Sequence, residues 1–133
     1  MVCGQCHSRG RSADGKYAFP LGYQPGADLG ELYTLDRQHP EGARNSQYND
    51  LALGGGKHLG EGVVCIVCHD PHGRGAEDPP AQLKAKPNQL CRQGGCHDGE
   101  LPEKQHPPAV LETVSCSMCH MPKGKHTFVS PGK

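Results

Sequence analysis

The sequence predicts a mostly irregular chain with short α-helices and little or no β-structure, and three observations predict it. The first is a shortage of core material: the 133 residues hold no Trp, 2 Phe and 4 Tyr, against 19 Gly and 12 Pro. A chain so poor in large apolar side chains cannot build an ordinary globular core from its own atoms. The second is the brevity of every apolar run, each soon broken by Gly or Pro. The third is a set of 8 cysteines, through which disulfides, metal or a covalent cofactor could replace the missing core.

The elements follow in chain order. Helices of one to two turns are expected at residues 2–7, 28–35 ("DLGELYTL"), 64–69, 80–85, 88–92, 108–114 and 116–120. Turn-rich connectors join them, among them "PLGYQPG", "ALGGG", "DPHGRGAEDPP" and "MPKGK". The best strand candidate is "KYAFPLGY", which Pro20 demotes. The length suits one domain over 1–133, with residues 1–64 as an N-terminal cysteine pair plus a long connector and residues 65–133 as a segment holding three pairs. A long irregular connector is unusual in a compact domain unless the chain packs on something other than itself.

Charge narrows the partners. The 14 basic and 14 acidic residues are spread evenly, which argues against nucleic acid or an anionic membrane as the main partner. Runs such as "GVVCIVC" are too short to span a bilayer. No signal peptide precedes "VCGQCH", so cysteine chemistry outside the cytoplasm would make this chain the mature or shortened form of a longer precursor.

Every cysteine belongs to one pattern. The pairs are Cys3 and Cys6 with His7, Cys65 and Cys68 with His69, Cys91 and Cys96 with His97, and Cys116 and Cys119 with His120. With 9 His in the chain, a given position is His roughly 7% of the time, so four such coincidences have odds of about 2 in 100,000. Two cysteines one helical turn apart project their sulfurs the same way, where both can form thioethers with the vinyl groups of one haem. The next residue then brings its imidazole under the iron. Cys91 and Cys96 are separated by four residues, and the glycines of "CRQGGCH" let that loop bulge so that both sulfurs still reach. A disulfide framework gives no reason for a His after every second Cys. Paired C-x-x-C zinc knuckles need no His at all. Four covalent c-type haems explain both.

Four irons also want sixth ligands, and five histidines remain: His39, His58, His72, His106 and His126. With only three methionines in the chain, bis-histidine coordination at all four haems is expected, with one histidine to spare. His58 lies in the glycine-rich "GGGKHLG", where backbone can approach a cofactor closely. His72, three residues past His69, is too near to serve the same iron and is expected on a neighbouring haem. His106 lies in "KQHPP" and His126 in "GKHTF". His39, far from any attachment motif, is the expected spare or a ligand offered to another subunit.

The run "KHLGEGVVCIVCHDPHGRG…NQLCRQGGCHDG…KQHPP…VSCSMCHMPKGKHTF" resembles the doubled C-x-x-C-H multihaem cytochromes c, especially the C-terminal part of their larger members. The resemblance covers most of the chain from residue 54 onward and is weak over 8–53. It implies a fold organised around a haem chain, bis-histidine haem c, a periplasmic or extracellular location and electron relay. It places His58, His72, His106 and His126 where distal ligands fall. The Cys91–Cys96 spacing departs from the motif.

The function expected is electron transfer between redox partner proteins or along a haem chain, because two nitrogen ligands per iron leave no open position for a substrate. One extension is a protomer of an extracellular filament whose haems stack across subunits. Two propionates per haem would bring the formal charge to roughly −8, with Arg44, Lys57 and Arg92 as their expected partners. The alternative is a multihaem reductase subunit with one substrate-accessible haem.

Overall fold

The structure is a computed structural model that describes residues 2–40, 43, 45–54, 57–73 and 80–131. The chain divides into two compact units, one of Met1–Glu61 with Lys125–Phe128, the other of Gly62–Gly124 with Val129–Lys133.

The first unit opens with a 3₁₀ turn at Val2–Gln5, which carries the first cysteine pair. Strand β1 (Gly10–Ser12) pairs antiparallel with β2 (Tyr33–Leu35), Gly10 opposite Leu35 and Ser12 opposite Tyr33. Helix α1 (Leu29–Leu32) is capped by Asp28, whose carboxylate accepts the Gly30 amide at 2.9 Å. The expected helix over 28–35 therefore stops after one turn. Tyr33 turns extended because its ring is worth more in the core and its backbone in the ladder. The demoted strand candidate at 16–23 is bends and turns, and Pro20 is fully buried. Tyr23, Leu29 and Tyr33 form a small core, flanked by Ala27, Leu32, Leu35 and Tyr48. The Tyr33 hydroxyl donates to the Ala18 carbonyl at 3.1 Å. Gly10 is required where it stands, since a Cβ there would collide with the Thr34 carbonyl.

Helix α2 (Gln47–Leu53) was not expected from the sequence. It brings Asn49 (2% exposed) into the position of a missing strand. The Asn49 side-chain oxygen accepts the Arg9 amide at 2.9 Å, and its NH₂ donates to the carbonyls of Arg9 and Asp36 at 2.8 and 2.9 Å. One amide side chain thus satisfies the Arg9 amide and the Asp36 carbonyl, which the two-stranded sheet leaves over, and adds a second donor to the Arg9 carbonyl, which also accepts the Asp36 amide at 2.9 Å.

The second unit carries α3 (Cys65–Cys68), a 3₁₀ turn at Pro80–Gln82, α4 (Pro87–Arg92), α5 (Pro108–Thr113), α6 (Cys116–His120) and a 3₁₀ turn at Pro122–Gly124. Proline at the first turn starts α4 and α5, where its missing N–H is not needed. The helices expected at 88–92, 108–114 and 116–120 are present within a residue at each end, while that expected at 80–85 is the single 3₁₀ turn. Among the described residues, Leu90 is the one buried apolar side chain of this unit. Ile66, Val67, Val110 and Met118 are exposed. Three cysteine pairs thus sit on a unit with almost no core of its own.

Replacing Asn49 by Leu should leave two backbone groups unpaired, the Arg9 amide and the Asp36 carbonyl, and cost about 2–4 kcal/mol. The check is guanidinium unfolding, where the midpoint should fall with little change in slope.

Candidate haem-attachment sites

One hydrogen bond closes every cysteine motif. The His7 amide donates to the Cys3 carbonyl at 2.9 Å, and the His69 amide to the Cys65 carbonyl at 2.9 Å. In the fourth motif the same closure lies inside α6, whose helical span Cys116–His120 sets the His120 amide on the Cys116 carbonyl. In the third it runs from the His97 amide to the Cys91 carbonyl at 3.0 Å, across two extra residues. The chain leaves α4 at Gln93 and passes through Gly94 at φ 66° and Gly95 at φ 78° before Cys96. Each left-handed position would cost a residue with a side chain roughly 1–2 kcal/mol. The glycines extrude the extra residues and leave the ends of the motif where the shorter motifs have them.

The thiols suit attachment. All eight are unbridged and none is buried, although cysteine is among the residue types most often found inside. Burial of its surroundings, together with the nearby Cys116 thiol, pushes the Cys91 thiol up to about 11. Cys68 is also raised, first by desolvation and then by Cys96. Thiols of the second, third and fourth motifs are therefore near neighbours. Asn88 locks two of these motifs together: its oxygen accepts the Cys116 amide at 2.7 Å and its NH₂ donates to the Val114 carbonyl at 3.2 Å. Among the described residues, no group of three or more His, Cys, Asp or Glu side chains is placed to hold a metal ion.

His7, His69 and His120 are oriented through Nδ1. That of His69 donates to the Ala81 carbonyl at 2.8 Å, that of His120 to the Val129 carbonyl at 2.7 Å, and that of His7 lies 3.3 Å from Gln47 Oε1. A backbone or amide acceptor on Nδ1 fixes the tautomer and presents Nε2 as the ligating nitrogen. Ala81 reaches His69 from a left-handed backbone, φ 59°, which a residue with a side chain adopts at a cost.

The remaining histidines divide between the units. His39, His58 and His126 lie in the first unit beside one cysteine pair; His72 and His106 lie in the second beside three. The His39 ring is held at both nitrogens, Nε2 by the buried Asp50 at 2.9 Å and Nδ1 by the Pro40 carbonyl at 3.3 Å. The other Asp50 oxygen accepts the His126 amide at 3.2 Å. The His58 ring packs on Phe128, centroids 3.9 Å apart. His72 is exposed in a turn set by Asp70, whose carboxylate accepts the His72 amide at 3.0 Å. His106 lies beside His120, ring centroids 6.0 Å apart and planes 12° from parallel. Lys57 and Arg92 are exposed, as partners for propionates must be, and Arg44 lies outside the described residues.

Residues 57–101 match the family model described as the doubled CXXCH motif. The match supports a multihaem c-type cytochrome. The matched third of the chain contains His58, His72 and the second and third cysteine pairs, so the longer Cys91–Cys96 loop falls inside it. No curated protein and no solved structure matches the chain. Proteins of this kind transfer electrons, and their haem is bound covalently through the paired cysteines. Sequence reasoning missed the residues that support these sites: Asn88, Ala81, Gln47 and Asp50. Only Asn88 left a signal, as a polar residue on the helix of "PNQLC" one turn before Cys91.

Replacing Gly94 and Gly95 by Ala should hinder closure of the third motif. Intact-mass analysis of the purified protein should then show one haem fewer in a large fraction of molecules, with the other attachment peptides unaffected.

Proposed function

We propose that this cytochrome carries four covalent haems, at Cys3 and Cys6, Cys65 and Cys68, Cys91 and Cys96, and Cys116 and Cys119. His7, His69, His97 and His120 are then the proximal ligands. The observation that carries the count is the common closure of all four motifs, the third included, by a histidine amide on the first cysteine carbonyl. Each bound haem supplies a one-electron iron couple whose potential its axial ligands tune. The protein's part is to hold the sulfurs, orient the imidazoles through Nδ1 and occupy the far side of each iron with a second histidine drawn from His58, His72, His106 and His126. His39, held at both nitrogens, is the spare.

The role that follows is relay of electrons between redox partner proteins rather than turnover of a substrate. The adjacency of the Cys91 and Cys116 thiols supports close approach of two haem edges, as rapid hopping requires. Multihaem c-type cytochromes are typically extracytoplasmic, and among the described residues no helix is long and apolar enough to cross a membrane. The reading extends to copies stacked into a filament in the periplasm or outside the cell.

Protein purified from its native source should contain four haems by mass and give a wholly six-coordinate, low-spin optical spectrum. The reduced form should not bind carbon monoxide. Colourless protein would overturn the reading; a haem that takes up carbon monoxide would replace it with the reductase. Electron microscopy of the same sample should show filaments if the chain polymerises.

A further inference from the structure

The rings of His106 and His120 stand side by side and nearly parallel. Their centroids are 6.0 Å apart with planes only 12° from parallel, a separation that offset-stacked rings share and that two imidazoles across one metal also have. An imidazole nitrogen sits about 2 Å from a first-row metal, and the ring centre lies a little over one ångström behind it. Two imidazoles on opposite sides of one metal therefore have centroids roughly 6 Å apart. We propose that His106 and His120 are the two axial ligands of one iron, that of the haem attached through Cys116 and Cys119. The proposal rests on the four-haem reading and adds a pairing to it.

The backbone prepares both rings in the same way. His120 Nδ1 is taken by the Val129 carbonyl at 2.7 Å, and His106 Nδ1 by the Pro102 carbonyl at 3.3 Å. Each ring is left with Nε2 for a metal, as outer-shell anchoring of ligating histidines requires. The Pro102 carbonyl also accepts the His106 amide at 2.9 Å, so one carbonyl fixes both the main chain and the ring. Pro107 and Pro108 follow at once, and a following proline confines His106 to extended backbone. Helix α5, starting at Pro108, then carries the chain back towards Cys116. There Asn88 holds the Val114 carbonyl and the Cys116 amide. The arm between the two ligands is thus braced at both ends.

The test is made on the haem-loaded protein. His106→Gly should convert one haem in four from low-spin to high-spin by optical and electron paramagnetic resonance spectra, and added imidazole should restore the low-spin form. His106→Met, a second variant that keeps a ligand, should leave all haems six-coordinate while one gains the charge-transfer band of a thioether on iron and a higher potential. In a Cys116→Ala, Cys119→Ala background, which carries three haems by mass, His106→Gly should change no remaining haem. Haems that all stay low-spin in His106→Gly without imidazole would overturn the pairing. So would a further high-spin haem in the three-haem background. Wild-type protein with fewer than four haems would instead be a failure of the underlying reading, visible before any variant is made.

Discussion

Two cysteines can present their sulfurs to one flat ligand only if the backbone between them is curled, and here a single hydrogen bond fixes the curl in every motif. The donor is always the histidine amide and the acceptor always the first cysteine carbonyl. The bond does two things at once. It sets the sulfurs on one side of a turn, and it brings the imidazole to the residue where the turn closes. Attachment and ligation are thus one local structure, which is why so short a sequence pattern can carry them. The third motif shows that the bond, not the spacing, is the constraint. Two more residues are accommodated because Gly94 and Gly95 take left-handed backbone, and the bond still forms.

The second constraint is the absence of a protein core where the motifs crowd. The first unit, with one cysteine pair, has Tyr23, Leu29, Tyr33 and Leu51 buried; the second, with three, has Leu90 among its described residues. Apolar burial scales with the area removed from water, and short helices of four to six residues do not stand alone. The buried area of the second unit must come from the porphyrins. The exposed Ile66, Val67 and Met118, all inside cysteine loops, then mark where the chain meets something other than itself.

Much of this was legible in the sequence, because its strongest signals are local. The four motifs, the helices at α4, α5 and α6 and the scarcity of β-structure follow from spacing, proline placement and composition. What was not legible depends on partners distant in the chain. Helix α2 has no strong amphipathic stripe, and its value lies in Asn49 reaching Arg9 and Asp36. Tyr33 leaves the expected helix because Ser12, across a long connector, offers it a ladder. The turn that presents His72 is held by the Asp70 carboxylate. Side-chain-to-backbone bonds of this kind leave no periodic trace.

The same contrast explains which histidines the chain could identify. A proximal histidine is named by its cysteines. The others are told apart only by what engages their nitrogens, and that is a property of the fold. His39 and His106 both sit beside proline in polar stretches, "RQHPEG" and "KQHPP", and read alike. In the folded chain a buried carboxylate takes Nε2 of His39, whereas a backbone carbonyl takes Nδ1 of His106 and a second imidazole stands parallel to it. The first arrangement spends the nitrogen that a metal needs; the second spends the other one. For an imidazole in a chain of this kind, which nitrogen the protein occupies separates a structural residue from a ligand more sharply than its place in the sequence.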